Sequence, residues 1–288
     1  MRVGEYSKVD HTESFQLNSL NKRIKIKRIN KATITIRLTM IMLILLTIYG
    51  FLTFDYKNIN LFDGILMTLT NLKVMFLEAH FVHFTFPEAI YQSLVTMGLA
   101  LLTTLIGAFI ALILALFAAQ NLSTARVSNS IKGFVAFIRA VPTVLWVLIF
   151  AVAAGLGSVA AVIGMTFHSI GYLIKAYSES FEELDEGVIE ALRGSGASWW
   201  QIVFQAVIPS SLTYLISWTF LRFEINFGVA IAMGAAAGAG GIGFDMFMAS
   251  SFYLDLREVG TITYFILFFA VLLEIIATRI KSKLQIKL

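Results

Sequence analysis

The 288-residue chain contains no cysteine, only three prolines and few charged residues. The absence of cysteine excludes disulfides, thiolate metal sites and cysteine nucleophiles. Charged residues make up 14% of the chain, against about 25% in typical soluble domains. The sequence also lacks a GxxxxGK[ST] phosphate-binding loop, a nucleophile elbow and an HExxH zinc motif. It therefore offers no motif for nucleotide hydrolysis or covalent catalysis, and no cofactor is expected in this chain.

Apolar residues are abundant instead. They make up 58% of the chain, and the mean hydropathy is +0.81. A soluble fold of this length cannot hide so much apolar surface, so the excess is expected to face lipid. The sequence therefore predicts an all-α integral membrane protein.

The apolar runs predict about six transmembrane helices, because a bilayer needs about 20 apolar residues per span. No apolar run lies near Met1, so the first span is expected to act as an uncleaved anchor. The predicted spans are Leu38–Phe54, Ile90–Ala119, Ala140–Leu156, Ser158–Tyr177, a fifth from Ile202–Ile208 to Met233, and Thr261–Thr278.

The positions of Lys and Arg predict that both termini are cytoplasmic. With six spans and an inner N-terminus, the inner segments hold 18 of the 22 basic residues. The predicted organisation is a basic cytoplasmic tail (1–33), a first span with an external segment (34–89), a transmembrane core (90–283) and a short cytoplasmic tail (284–288). The net charge of +4 does not by itself imply a nucleic-acid partner.

The loop between the fourth and fifth spans, residues 178–201, has helix signals on the cytoplasmic side. Ser180–Glu183 has the form of a capping box and predicts a helix start. Gly194–Gly196 supplies permissive backbone for a sharp turn. Ser198–Gln201 is a second capping-box form, which predicts the start of the next helix. Pro209 follows, where the chain is expected to enter the membrane.

This loop resembles the EAA loop of bacterial ABC importer permeases. Glu190-Ala191-Leu192, then Gly196, then Val207-Ile208-Pro209 match the spacing of that motif, with Leu192 in place of its second alanine. The resemblance implies that a short coupling helix docks in an ABC ATPase subunit. The residues assigned to coupling are Glu190, Ala191, Leu192, Gly194, Gly196 and Pro209. The alternative interpretation is an ordinary loop with two capped helices.

Four further segments, in order, resemble the phosphonate-type permeases within this class over residues 85–283. The resemblance implies a type I importer fold, a homodimer, two ATPase subunits, an external solute-binding protein and a bacterial cell-membrane location. Its implied substrate is phosphonate or a related small phosphorus oxyanion. The segments are Phe137–Thr143, His168–Gly171 with Lys175 and Glu179, Arg222–Asn226, and Gly238–Gly243.

One departure affects the expected substrate. The family usually has Arg two residues after the Asn, and this chain has Gly228. An importer for another small solute, such as an amino acid, therefore stays open as an alternative. An ion-gradient-driven secondary transporter is a second alternative, but no clear inverted repeat supports it.

Polar residues inside the spans are candidates for the substrate path. Arg222, Glu224 and Asn226 lie within a long span, where charges tend to face a cavity or a partner. Pairing with neighbouring helices or reaching toward the outer surface is the alternative for these charges. Arg139, at the inner end of the third span, either attracts an oxyanion, contacts the loop or anchors the span by the positive-inside rule.

Two other motifs are interpreted structurally. Gly238, Gly240 and Gly241 belong to a GxGxxG match, but an apolar helix precedes it rather than a strand, so dinucleotide binding is not indicated. We expect these glycines to form a turn at the outer end of the fifth span, near the path. His80 and His83 lie near Glu78, but a third metal ligand is missing, so no metal site is assigned.

Overall fold

The computed structural model describes residues 31–54 and 60–285, and every regular element in these two ranges is helical. This confirms the all-α prediction. Most of the basic N-terminal tail and the last three residues lie outside the described ranges. The helices are α1 (Lys31–Thr53), α2 (Leu61–Leu77), α3 (Phe86–Ala118), α4 (Ala125–Ala140), α5 (Thr143–Ala154), α6 (Ser158–Glu182), α7 (Glu186–Gly194), α8 (Trp199–Ile202), α9 (Ile208–Ala237), α10 (Ile242–Phe247) and α11 (Leu256–Gln285).

The first helix forms a unit by itself. It runs over Lys31–Thr53, so it begins seven residues before the predicted start at Leu38. None of its residues is buried, although its sequence is strongly apolar on all sides. A helix that is apolar all round and long enough to cross a bilayer suits a lipid environment.

Helices α3, α6 and α9 pack against one another through small side chains. Buried alanines line α3, and a Cβ at Gly107 would meet the Cβ of Ser169 on α6 at 3.0 Å. Gly164 of α6 likewise lies against the backbone of Val147 on α5. Small residues let helix backbones approach closely, which is how helices associate where lipid removes the hydrophobic driving force.

The third predicted span, Ala140–Leu156, corresponds to the short helix α5, which is joined to α4 at a sharp bend. Helices α4 and α5 meet at a 90° bend, and α5 has only 12 residues. Pro142 lies at the bend. Proline interrupts the helix there because it cannot donate a backbone hydrogen bond and disfavours helix at the preceding residue. The indole of Trp146 fixes the bend by donating to the Ile138 carbonyl at 3.0 Å. The described ranges thus hold five helices long enough to span, or six counting the bent pair.

The helix boundaries in the loop of residues 178–201 also differ in part from the prediction. Helix α6 continues to Glu182, so a helix start at Ser180 was wrong. The helix continues because its apolar face runs on through the buried Phe181. The Ser180 hydroxyl therefore donates to the Ala176 carbonyl within α6 instead of capping a new helix. Asp185 caps α7 instead, accepting from the Gly187 amide at 2.8 Å.

The second half of the loop follows the sequence prediction. Ser198 and Gln201 form the predicted capping box at the start of α8. A wide π-helical turn over Val203–Val207 joins α8 to α9, so the chain is helical from Trp199 to Ala237. Pro209 lies at the start of α9, directly after this π-helical turn.

One end of the second unit is built from α2, α10 and the start of α11. Helix α2 lies against α11, where the Tyr264 hydroxyl donates to the Phe76 carbonyl at 2.5 Å. Gly260 of α11 lies so close to the Met75 carbonyl that no larger residue fits there. A second π-helical turn, Met248–Phe252, connects α10 to α11.

Candidate functional site

The short helix α7 presents the EAA-like residues at the surface. Glu190, Ala191, Gly194 and Gly196 are exposed, whereas Leu192 is half-buried and packs on the core. Gly196 has a φ of +84°, a left-handed conformation that favours glycine and makes the sharp turn after α7. The turn residues therefore form a small-residue edge, and Leu192 with the buried Ile189 anchors it from inside. Pro209 is exposed but lies separately, in α9.

The connection between α3 and α4, residues 119–124, fixes α7 and the following helix α8 to the transmembrane core. The Arg193 guanidinium donates to the Asn121 carbonyl at 3.0 Å, and the Trp199 indole donates to the Leu122 carbonyl at 2.9 Å. Asn121 in turn donates to the Phe181 carbonyl at the end of α6, at 2.8 Å. A displacement of α7 would therefore pull on α3, α4 and α6 together.

A polar cluster lies inside the membrane core, where α3, α6 and α9 meet. Asn226 is fully buried and donates to Thr104 at 2.8 Å and to Ser169 at 3.0 Å. Arg222, one helical turn earlier, donates from Nε to Ser169 at 3.0 Å. The structure thus brings two of the predicted path residues together. Glu224 takes no part in these hydrogen bonds.

Arg222 is only 3% exposed, and its Nη2 has no hydrogen-bond partner in the described part of the chain. Its guanidinium lies 5.1 Å from the centre of the Tyr172 ring, an arrangement typical of a cation–π contact. None of the ion pairs found between described residues includes Arg222. A buried cation without an acidic partner is an unusual feature of a membrane core.

Arg139 lies in the last turn of α4. Its side chain passes Gly171 of α6, where a Cβ would lie 3.6 Å from Arg139 Cγ. Arg139, Tyr172 and Lys175 line a cavity of about 120 Å³ together with Trp218. Arg139 thus shares this cavity with Tyr172, whose ring also contacts Arg222.

The glycine-rich segment after α9 forms the predicted turn. Gly238, Gly240 and Gly241 have φ values of +63°, +82° and +73°. The turn lies against α3, because the amide of Ile242 donates to the Thr96 hydroxyl at 3.0 Å. These three positive φ values favour glycine and explain the choice of residue at each position.

The cluster of residues around Glu258 was not predicted from the sequence. Glu258 is fully buried at the start of α11, and its carboxylate lies 2.7 Å from Nδ1 of His83. The His83 ring also stacks on Tyr253, with ring centres 3.7 Å apart. His83 and Glu258 are 175 residues apart, so no local sequence pattern links them. The one available signal was an acidic residue, Glu258, at the start of an apolar run, where charged residues tend to have a specific partner.

Ser169, Thr104 and Tyr172 were also missed as members of the membrane cluster. Hydroxyls in transmembrane helices commonly bond to their own helix, as Thr104 does to the Ala100 carbonyl at 2.7 Å. Only the packing of α3, α6 and α9 shows that the hydroxyls of Thr104 and Ser169 also bond to Asn226.

The comparisons with known proteins agree with this architecture. The model of the family described as "Binding-protein-dependent transport system inner membrane component" matches residues 111–285. The chain is 30% identical over 191 residues to the Phosphate-import permease protein PhnE of Mycolicibacterium smegmatis, covering 66% of this chain and 35% of the relative. It is 31% identical over 180 residues to the Phosphite transport system permease protein PtxC of Stutzerimonas stutzeri, covering 62% and 65%. The chain thus spans about a third of the length of PhnE and about two thirds of the length of PtxC.

The fold itself matches solved permease structures. A chain from an inward-facing form of the MetNI methionine ABC transporter superposes with a TM-score of 0.61 at 20% identity, covering 70% of this chain and 99% of that one. The chain thus has the type I ABC importer permease fold. The Probable D-methionine transport system permease protein MetI of Pasteurella multocida is 26% identical, covering 53% of this chain and 75% of that protein.

Proposed function

Because the chain belongs to the family of binding-protein-dependent transport system inner membrane components, we propose that it is the permease subunit of an ATP-driven importer. It is a multi-pass inner-membrane protein, and in this proposal both of its termini are cytoplasmic. It forms the translocation path and carries out no covalent chemistry. ABC ATPase subunits hydrolyse the ATP, and an extracytoplasmic solute-binding protein delivers the substrate.

The observation that carries this proposal is the exposed coupling helix α7. Its surface edge of Glu190, Ala191, Gly194 and Gly196 allows close approach of a partner cleft, while Arg193 ties the helix to the α3–α4 connection. An ordinary cytoplasmic loop needs neither the small exposed edge nor the tie to the transmembrane core. In this proposal, closure of the ATPase subunits moves α7, and α7 moves α3, α4 and α6.

We assign the substrate to the small phosphorus oxyanions, such as phosphite, phosphonate or phosphate. Two relatives near 30% identity are a phosphate-import and a phosphite permease. The buried cation Arg222 and the exposed Arg139 support an anionic substrate, since a cation inside a membrane path attracts the opposite charge. Arg139, Arg222, Glu224, Asn226 and the Gly238–Gly241 turn are the proposed path residues, in a homodimer.

An amino acid is the second candidate substrate. The methionine permease relative and the fold match to a methionine transporter favour it. Gly228 favours it as well, because the position lacks the arginine that phosphonate-type permeases usually have and is exposed on α9.

Uptake by proteoliposomes tests both candidates. The permease, its ATPase subunits and its solute-binding protein would be reconstituted, and entry of radiolabelled phosphite, phosphate and methionine would be measured with internal or external ATP. We expect phosphite or phosphate uptake that requires ATP on the ATPase side. An ATPase subunit unable to hydrolyse ATP is the control. Uptake that follows an ion gradient and ignores ATP contradicts the importer, whereas ATP-dependent uptake of methionine alone contradicts only the oxyanion assignment.

A further inference from the structure

The buried guanidinium of Arg222 lacks a counter-ion within residues 31–54 and 60–285. It is 3% exposed, its Nη2 is unpartnered, and no acidic side chain described here pairs with it. A charge held in the membrane core is costly unless another charge or a ligand compensates it. The fold keeps this cation in place, so its environment should be completed by an anion from outside the chain.

The residues around Arg222 hold it in place but do not neutralise it. Ser169 accepts from Arg222 Nε at 3.0 Å and also accepts from the Asn226 amide at 3.0 Å. Asn226 also donates to Thr104, so its amide group is already bonded to other residues of the protein. Ser169, Asn226 and Thr104 are all neutral. They orient the guanidinium through Nε and leave Nη2 available.

A second unpartnered buried nitrogen lies close to the arginines. His168 Nδ1 on α6 has no hydrogen-bond partner among the described residues, and His168 lies one residue before Ser169, which binds Arg222. An uncompensated ring nitrogen and an uncompensated guanidinium nitrogen in one region are what a missing polar ligand leaves behind.

Tyr172 connects this region with a neighbouring cavity. Its ring contacts the Arg222 guanidinium, and the residue lines a cavity of about 120 Å³ together with Arg139, Lys175 and Glu179. Arg139 and Lys175 also line a neighbouring cavity of about 230 Å³, which contains Lys132.

The cations of these cavities differ in how they are paired. Lys175 pairs with Glu179 at 2.9 Å, and Lys132 pairs with Glu182 at 2.7 Å. Arg139 has no ion pair among the described residues, and Arg222 has none either. Tyr172 links the two unpaired cations, because it contacts Arg222 and lines a cavity with Arg139.

We infer that Arg222 and Arg139 form a binding site for one small tetrahedral oxyanion inside the permease, next to Tyr172, which contacts Arg222 and shares a cavity with Arg139. The guanidinium fork of Arg222 suits such an anion because it offers parallel N–H donors. Lys175 and Lys132 then form an exit route, where acidic partners weaken the hold on the anion. This inference rests on the proposed import of an oxyanion and names where the oxyanion binds.

Equilibrium binding to the assembled transporter tests the site. The permease with its ATPase subunits, in nanodiscs without nucleotide or solute-binding protein, would be titrated with labelled phosphate and phosphite. We expect saturable binding to the wild type, at least tenfold weaker binding to Arg222→Met, and an intermediate loss in Arg222→Lys. Arg279→Met, the same change at an exposed arginine near the inner end of α11, should bind as the wild type does.

Three outcomes would overturn the site. Binding to Arg222→Met equal to that of the wild type is the first. The second is a wild-type transporter that imports the oxyanion with ATP but shows no binding in this assay, which leaves the proposed function intact. The third is ATP-dependent uptake of methionine alone without oxyanion binding, in which case the substrate assignment fails too. If Arg222→Met does not assemble, Arg139→Met and Tyr172→Ala replace it, and unchanged binding in both contradicts the site.

Discussion

The buried carboxylate of Glu258, in the first turn of α11, lies 2.7 Å from ring nitrogen Nδ1 of His83 in the connection between α2 and α3. The same carboxylate accepts from the backbone amides of His83 at 2.6 Å and Val82 at 3.2 Å. Glu258 is fully buried, so these three donors provide its compensation. They fasten the connection between α2 and α3 to the start of α11.

Replacing His83 should destabilise the protein. His83→Ala removes the ring donor and leaves Glu258 buried with only two backbone donors, so we expect a loss of about 1–3 kcal/mol. Thermal unfolding of the purified permease would measure it as a lower Tm.

His80→Ala is the matched control, because His80 is exposed and its ring contacts only the Glu78 carbonyl, at 3.1 Å. We expect a change within about 0.5 kcal/mol for this variant. Equal Tm shifts for the two histidine variants would contradict a specific role of the His83 ring.

Asp245 on α10 should make stability depend on pH. Burial, together with the carboxylates of Glu88 and Glu258, raises the pKa of Asp245 from 3.8 to about 6. A carboxyl group with a raised folded-state pKa binds its proton more tightly when folded. Its favourable contribution is therefore fully present below about pH 4 and is lost as the pH rises through 6.

Asp245→Asn should remove this dependence. We expect the variant to be more stable than the wild type above pH 6, by about 1 kcal/mol because solvent still reaches the side chain, and equally stable near pH 4. Thermal unfolding between pH 4 and 7.5 would measure the difference. Asp63→Asn, an exposed carboxylate of α2, should leave the profile unchanged, and a parallel downward or upward shift of the Asp245→Asn curve at every pH would contradict the assignment.

Local patterns predicted those parts of the fold that local energetics determines. The capping box of Ser198 and Gln201 and the turn at Gly196 were confirmed, because each depends on residues within four positions. The capping-box form at Ser180 failed for the same reason. Its four residues cannot show that the apolar face of α6 runs on through Phe181 and keeps the helix intact.

The site was only partly predictable, since its contacts cross between distant elements. Arg222 and Asn226 stood out because polar residues are rare in apolar spans. Their partner Ser169 did not stand out, and its 53-residue separation from Arg222 is closed only by the packing of α6 on α9. The 90° bend between α4 and α5 was missed because Pro142 within an apolar run permits either a kinked span or two helices.

The turn after α7 supports a comparison of two neighbouring glycines. Gly196 has a φ of +84°, so Gly196→Ala is strained and should cost about 1 kcal/mol or more. Gly194 is the last residue of α7 and has open space around its Cα. Gly194→Ala should therefore fold as well as the wild type, with an alanine that favours helix.

The function of the two variants separates turn geometry from surface contact. Under the proposed coupling role, Gly196→Ala should reduce ATP-dependent uptake while ATP hydrolysis persists, because the edge of α7 is displaced. Gly194→Ala tests the surface alone, since only a methyl group is added to the exposed edge. Normal uptake by Gly196→Ala would contradict the requirement for this turn.

The adjacent tryptophans of α8 offer a last matched pair. The Trp199 indole donates to the Leu122 carbonyl at 2.9 Å and stacks on Phe117 with ring centres 5.6 Å apart. Trp199→Phe keeps an aromatic ring but loses the hydrogen bond to the α3–α4 connection, which should cost about 1 kcal/mol. Trp200 is 57% exposed, so Trp200→Phe should leave the Tm of the isolated permease unchanged.

If the tie between α8 and the α3–α4 connection transmits ATPase closure, Trp199→Phe should also hydrolyse more ATP per imported solute than the wild type. The physical reason is that a loosened cytoplasmic helix moves without moving α3. The ratio of phosphate released from ATP to solute taken up by proteoliposomes measures this directly. A lower Tm with an unchanged ratio would mean that the Trp199 hydrogen bond stabilises the fold but does not carry the coupling, leaving Arg193 and its bond to Asn121 as the transmitting contact.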